Sequence, residues 1–277
     1  MDDAATPEGA GPDAPESGAP KRRSARATKP RRRASVIGVL GELLLTAGVV
    51  MLLYVGWQLW IGDVIYGAER SAQAQEQSEQ WQQQYEEQAA ASPSATPATP
   101  GTPAPADTTA DPVILPEPAD AEIFGIMHIP RFGPDYQVNI AGGITRPRTL
   151  DPIGIGHYPG TQMPGEMGNF ALAAHRTTWG KPFNRIADLH VGDAIVIETP
   201  DGWYTYRFRT LEYVKPSAVD VLLPVPQATD VAANGRYLTM TSCSPMYSLA
   251  ERIVAYSIFD SFTPRSAGAP SSLNGTA

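Results

Sequence analysis

The chain has 277 residues, 42% of them hydrophobic, and a formal net charge of −8, enough apolar content for one sizeable core. The charge is uneven: residues 1–35 hold eight Lys/Arg against five Asp/Glu, whereas residues 36–277 hold thirteen against twenty-four. An acidic body argues against a nucleic-acid partner, because neutralising phosphates takes a dense basic face.

In chain order, residues 1–20 are rich in Ala, Pro, Gly and acids, and the cluster KRRSARATKPRRR follows at 21–33. Residues 1–35 together read as a disordered basic tail. The run VIGVLGELLLTAGVVMLLYVGWQLWI, residues 36–61, contains one ionisable residue, Glu42. It is long enough to cross a hydrocarbon core of about 30 Å at about 1.5 Å per residue. Basic residues ahead of it put the N-terminus in the cytoplasm, and Tyr54, Trp57 and Trp60 suit the far interface. Glu42 lies less than two turns in, within reach of the headgroups. A cleaved signal peptide is the competing reading, with a faint AQA match at 72–74. The apolar run is too long for an ordinary signal core, which favours an uncleaved single-pass anchor in the plasma membrane, with the rest of the chain extracytoplasmic.

Residues 62–118 read as a polar, Pro-rich linker. Within it, residues 68–91 are rich in helix formers and poor in apolar residues, which leaves a juxtamembrane helix and a polar spacer both open. Residues 92–118 are Pro/Ala/Thr-rich and read as an extended, semi-stiff segment. From about residue 119 the pattern changes to short β-rich runs: EIFGIMHIP, YQVNIA, NFALAAH, DAIVIET, WYTYRFRTLEYV, RYLTMTSC and RIVAYSIF. Gly, Pro, Asn and Asp separate them, and TPDGW at 199–203 carries the signature of a tight hairpin. Many short punctuated strands predict a mainly β fold, a closed or nearly closed barrel over 119–264, with a short helix within 177–189 and a frayed tail over 265–277.

The single cysteine, Cys243, cannot form an intramolecular disulfide, so it is either buried and inert or reactive. A thiol nucleophile needs a base or acid partner and a group that binds the oxyanion formed at an attacked carbonyl. Four histidines are available. His175 stands where the apolar run NFALAA meets a loop, a common place for a site residue. His157 lies in the Gly-flanked stretch GIGHYPGT, and His128 and His190 read as structural. Arg252 opens the run RIVAYSIF. If Cys243 ends one strand and Arg252 opens the next, they are hairpin neighbours, and the planar guanidinium can meet a thiolate or a carbonyl oxygen. Thr241, two residues before Cys243 on a strand, shares its face, and Ser242 points the other way.

LTMTSCSP with Arg252 in AERIVAYS resembles the Thr-Leu-x-Thr-Cys signature and downstream arginine of the sortase family. NFALAAHRTTWGKPF resembles the family's strand and loop carrying the catalytic histidine, and GIGHYPGTQMPGEMGN the loop before that strand. The order His, Cys, Arg is also that of sortases, and the resemblance covers about residues 120–262. Ser242, standing between Thr241 and Cys243, departs from the common form and is similar to the class E pattern Leu-Thr-x-Thr-x-Cys-x-Pro. The resemblance implies an eight-stranded barrel with a groove. It implies cysteine transpeptidation of a Leu-Ala-x-Thr-Gly-like C-terminal sorting signal between Thr and Gly. Cys243 is then the nucleophile, His175 the acid–base and Arg252 the oxyanion ligand. The implied partners are secreted proteins bearing the signal and a peptidoglycan-precursor amine, with no metal or organic cofactor. Thr241 is expected to line the groove. Tyr158 is a candidate for the alanine preference of class E, or else a turn aromatic packed on the barrel end.

Three other readings stay in view. A pilin-polymerising sortase would use a lysine acceptor; the polar end SAGAPSSLNGTA, which holds no second anchor, favours the housekeeping role, while DPVILPEPAD stays open as a lid, with an acidic residue but no Asp-Pro-aromatic triplet. A tethered β-barrel binding module would keep Cys243 buried and inert. A cysteine hydrolase would use water as acceptor.

Overall fold

A computed structural model of the chain describes residues 35–57, 62–91 and 110–274. Residues 1–34, Trp60, residues 92–109 of the linker and residues 275–277 lie outside the described set. Two compact units divide at Val50. Helix α1 (Val36–Gly56) runs across that division; it is 21 residues long with a mean hydropathy of 2.4 and no buried residue. By length and composition it can cross a membrane.

The second unit holds α2 (Gly62–Ala91) and eight strands: β1 (Ile123–His128), β2 (Gln137–Gly142), β3 (Ile155–His157), β4 (Gly168–Ala174), β5 (Ala194–Thr199), β6 (Gly202–Val214), β7 (Arg236–Ser244) and β8 (Glu251–Pro264). They close into a barrel in the order β1-β2-β3-β4-β7-β8-β6-β5, with β5 paired to β1. Two neighbouring pairs are parallel, β2 with β3 and β4 with β7; the others are antiparallel. The closed barrel expected from the sequence is therefore present. The seven β-rich runs supply seven strands, and the eighth, β3, is three residues inside the Gly-flanked loop.

Alternation along the strands fills the interior. Phe170, Leu172 and Ala174 of β4, Leu238 and Met240 of β7, and Ile253 and Ala255 of β8 lie in one core with Tyr204, Tyr206 and Phe262. Most strands are also covered outside, so the burial pattern of β4 and β5 is continuous rather than alternating. Residues 62–91 form a helix, resolving the two readings of that segment. It lies across the outer face of β1 and β2: Ala74 and Trp81 pack on Ile126, Ser71 Oγ donates to the Gln137 carbonyl, and Ser78 Oγ donates to Glu198 Oε1. The contacts recur at residues 70–71, 74, 78 and 81–82, one helix face at a spacing of three to four.

Both ends of the barrel segment extend beyond the sequence expectation. Ala110 and Leu115, assigned to the linker, pack against the core, and Tyr204 donates its hydroxyl to the Val113 carbonyl. Residues 265–274, expected to fray, lie on the outer face of β5, with Leu273 against Ala194, Val196 and Trp203. Arg265, 5% exposed, anchors this segment. Its Nη2 is 3.0 Å from Glu198 Oε1, and its guanidinium carbon lies 4.7 Å from the Trp203 ring centroid. Small polar residues hide this, because one buried arginine and the single apolar contact of Leu273 hold the segment down. The hairpin at 199–203 is present, but its two linking residues are Pro200 and Asp201. Gly202 instead opens β6, where a Cβ would meet the Thr263 carbonyl oxygen at 2.2 Å. The helix expected within 177–189 is a single turn, Ile186–Asp188.

Glu198 joins β5 to α2, β1 and residue 265. Burial alone would raise its pKa, but hydrogen bonds from His128, Ser78 and Arg265 outweigh it and hold the carboxyl below the usual range. Such a group stabilises the fold fully above its unfolded pKa and loses that contribution as pH falls through the lower folded value. Removing one partner leaves a buried charge, so Arg265→Ala is expected to cost about 3–5 kcal/mol in urea unfolding at pH 7. Glu198→Gln is expected to flatten the loss of stability on acidification below about pH 4.3.

Candidate active site

The β4–β7 pairing places Leu172 beside Met240 and Ala173 beside Thr241, in parallel. Two residues further along both strands, the same offset brings His175, one position past the end of β4, alongside Cys243. On the other side of β7 the antiparallel register sets Cys243 directly opposite Arg252. Residues directly opposite in such a pair project from the same face. Cys243 and Arg252 thus stand on one rung of adjacent strands, at a spacing of about 4.8 Å, and the β4–β7 offset, continued past the last paired residues Ala173 and Thr241, sets His175 level with them. Leu238 and Met240 point into the core, so Thr241 and Cys243 face outward and Ser242 inward. The Ser242 hydroxyl donates to the Ala174 carbonyl at 2.8 Å, and Arg176 Nη1 donates to the Cys243 carbonyl at 3.3 Å. Together they tie the last residues of β7 to the end of β4.

His175 is 13% exposed at its side chain, and its Nε2 lies 2.7 Å from Asp151 Oδ1. A carboxylate on Nε2 fixes the ring plane and leaves Nδ1 for a second partner. Cys243 is a free thiol, partly exposed. Arg252 Nη1 donates to the carbonyls of Leu249 (3.2 Å) and Glu251 (2.9 Å), which holds the guanidinium stem at the mouth of the β7–β8 loop. Nη1 accounts for two of the five N–H donors of a guanidinium.

Tyr158, one residue past β3, sits in the same strip. Thr241 Oγ1 donates to the Leu172 carbonyl at 3.2 Å, so the 2.9 Å contact between the two hydroxyls is donated by Tyr158. To reach β7 the phenol crosses β4, whose outward residues there are Ala171 and Ala173. His157 lies on the opposite side of that turn, 1% exposed, with Nε2 3.0 Å from the Gln162 carbonyl. Burial pushes its pKa down against the opposing hydrogen bond, and its ring packs on Phe124 and Phe170. It braces the loop carrying Tyr158. His128 pairs with Glu198 on β5, and His190 is exposed near Asp193. All five residues singled out by sequence therefore share one outer-face strip, and the other three histidines do not. Among the described residues, no group of three or more His, Cys, Asp or Glu is placed to hold a metal ion.

Two residues that bond to the strip carry no such reading in the sequence: Asp151, against His175, and Arg176, against the Cys243 carbonyl. Arg176 directly follows His175, which was the available signal. Asp151 is 24 residues from His175 in a loop without periodicity, and nothing local marks it.

Fold and site together define a closed eight-stranded β-barrel with a free thiol at the end of one strand and an arginine opposite it on the next. A sortase-domain family model matches residues 127–258. Sortase SrtE1 of Streptomyces coelicolor is 34% identical over 268 residues, covering 95% of this chain and 68% of its own. Sortase SrtE2 of the same organism is 31% identical, covering 82% and 83%. Among solved structures, sortase E1 of S. coelicolor, crystallised with a tripeptide in its active site, is 38% identical with a TM-score of 0.52 over 56% of this chain and 99% of that one. SrtA of Actinomyces oris is 32% identical with a TM-score of 0.57 over 61% and 97%. The chain belongs to the sortase family, and its relatives and structural neighbours include class E sortases.

If the Tyr158–Thr241 contact joins the β3–β4 turn to β7, a double-mutant cycle of Tyr158→Phe and Thr241→Val should return a coupling of about 0.5–1.5 kcal/mol in unfolding free energy. Additive effects would show that the hydroxyls do not bond in solution.

Proposed function

We propose that the chain is a membrane-anchored cysteine transpeptidase that cleaves a Leu-Ala-x-Thr-Gly-like sorting signal between Thr and Gly and joins the acyl part to a cell-wall amine. The observation that carries the proposal is the register: Cys243 is directly opposite Arg252, and the β4–β7 offset continued two residues beyond Ala173 and Thr241 sets His175 beside Cys243. The thiolate of Cys243 attacks the threonine carbonyl, and the electron pair moves to the oxygen. The donors of Arg252 bind that oxyanion and position the carbonyl. Collapse expels the glycine amine, which takes the proton of a protonated His175, leaving a thioester on Cys243. An incoming primary amine gives a proton to the now neutral imidazole and attacks the thioester. Collapse then releases the new amide and restores the thiolate. Asp151 keeps His175 oriented through both proton transfers.

The substrate lies in the outer-face groove, with Thr241 on its floor and Tyr158 closing one side, where a phenol across β4 favours a small residue such as alanine in the signal. The barrel, residues 119–264, is the catalytic domain, with residues 110–118 and 265–274 packed on it. Helix α1 holds it at the membrane, with the N-terminus cytoplasmic and the barrel on the cell-wall side; the basic cluster at 21–33 supports that orientation. The acceptor is the amine of a peptidoglycan precursor, and the clients are secreted proteins carrying the signal.

Full-length protein in detergent, given Leu-Ala-x-Thr-Gly and Leu-Pro-x-Thr-Gly peptides with an amine acceptor, should yield Thr–amine product by mass spectrometry and prefer the alanine peptide. Cys243→Ala should lower turnover on the order of 10³-fold or more, and Arg252→Lys by about 10²–10³-fold in kcat. Cleavage that persists in Cys243→Ala would overturn the mechanism; cleavage without amine incorporation would indicate a hydrolase.

A further inference from the structure

Helix α2 meets both segments that hold His175. Arg70, 5% exposed, donates through Nη2 to the Asp151 carbonyl, and the carboxylate of that same residue holds His175 Nε2. One turn earlier, Gly67 meets Gly180 in the loop that leaves β4 after His175. A Cβ on Gly180 would lie 3.1 Å from the Gly67 nitrogen. The Tyr66 and Trp179 rings are 5.6 Å apart. Residues 66, 67 and 70 form one turn, so a single turn of α2 touches the segments on both sides of His175.

Two features show that these contacts are specified. Gly154 has φ +127°, and a Cβ there would lie 3.2 Å from Arg70 Nη1 and 2.7 Å from Val138 Cγ1, so the glycine leaves the space in which the guanidinium sits. Trp179, Gly180 and Lys181 all have positive φ (54°, 74° and 52°). Tryptophan and lysine on either side of a glycine both adopt that conformation only when their surroundings impose it. Burial, opposed by Asp151, also pushes the Arg70 pKa down, so a cation is kept desolvated where an apolar side chain would pack without that cost.

We infer that the membrane-proximal helix is part of the active-site frame, with Arg70 as a positioning residue that fixes the Asp151 backbone and through it the orientation of His175. The inference rests on the reading of His175 as the catalytic acid–base. Arg70 touches neither substrate nor the reacting atoms. A lost constraint on the imidazole appears in the chemical step, whereas the groove on β4, β7 and β8 is untouched and substrate binding is retained.

The test uses full-length protein in detergent and a Leu-Ala-x-Thr-Gly peptide with an amine acceptor. Arg70→Ala is expected to lower kcat about tenfold or more with KM within about twofold of wild type, and Arg70→Lys, which keeps one donor, to restore most of it. Gly67→Leu wedges α2 away from the Gly180 loop without touching Arg70 and should lower kcat in the same way; Gly67→Ala, whose Cβ would sit 3.6 Å from the Gly180 carbonyl oxygen, should not. Thermal unfolding of each variant separates folding from turnover. A kcat within twofold of wild type for Arg70→Ala and Gly67→Leu, whatever their Tm, overturns the inference, as does a loss confined to KM. His175→Ala and Cys243→Ala run beside them. If those two keep turnover, the catalytic reading falls and this inference with it; if they lose turnover while the α2 variants do not, the positioning role alone is refuted.

Discussion

The parallel pairing of β4 with β7 is the constraint on which the site depends. Parallel neighbours need a long crossover, and here the chain leaves β4, builds β5 and β6, and returns as β7 before the pair can form. A one-residue slip in that register would turn Cys243 and Thr241 into the core and bring Ser242 to the surface. The core residues Leu238 and Met240 resist the slip, because they would have to leave the apolar interior. The Ser242 and Arg176 contacts to main-chain carbonyls lock the last rung. The hydrophobic effect that closes the barrel therefore also fixes which face carries the thiol.

Given that register, the antiparallel β7–β8 hairpin sets Arg252 opposite Cys243 with no further adjustment. The outward alanines of β4, Ala171 and Ala173, let Tyr158 lie across the strand to Thr241. Larger residues at those positions would fill the strip between the β3–β4 turn and β7. The site is thus a product of strand order, register and side-chain size on the outside of the barrel, and the interior is packed with aromatic and aliphatic side chains.

Much of this was legible in the residues, and the illegible parts have physical causes. Seven strands announced themselves by β-rich runs between turn residues; β3 did not, because three residues carry no period. The helix α2 is ambiguous in sequence because Arg70, Ser71, Ser78 and Gln82 occupy much of its docked face, with Ala74 and Trp81 adding apolar area between them. Hydrophobic periodicity cannot detect a face that docks through hydrogen bonds. Residues 265–274 are hard to read for a related reason, since the buried pair Arg265–Glu198, which anchors them beside the Leu273 contact, joins positions 67 apart in sequence. The residues of the candidate site stand in short motifs at the ends of strands, which is what singles them out in the sequence. Asp151 was not, because its link to His175 exists only after β3 and β4 pair.

The account stands or falls on a covalent intermediate at Cys243. The most direct measurement is intact-protein and peptide-level mass spectrometry of the full-length chain, incubated with a Leu-Ala-x-Thr-Gly peptide and no amine acceptor, then quenched in acid. The account predicts an adduct equal to the acyl fragment ending in threonine, mapped to Cys243 and discharged when an amine is added. Peptide cleavage with no adduct, or with an adduct on any other residue, would contradict it.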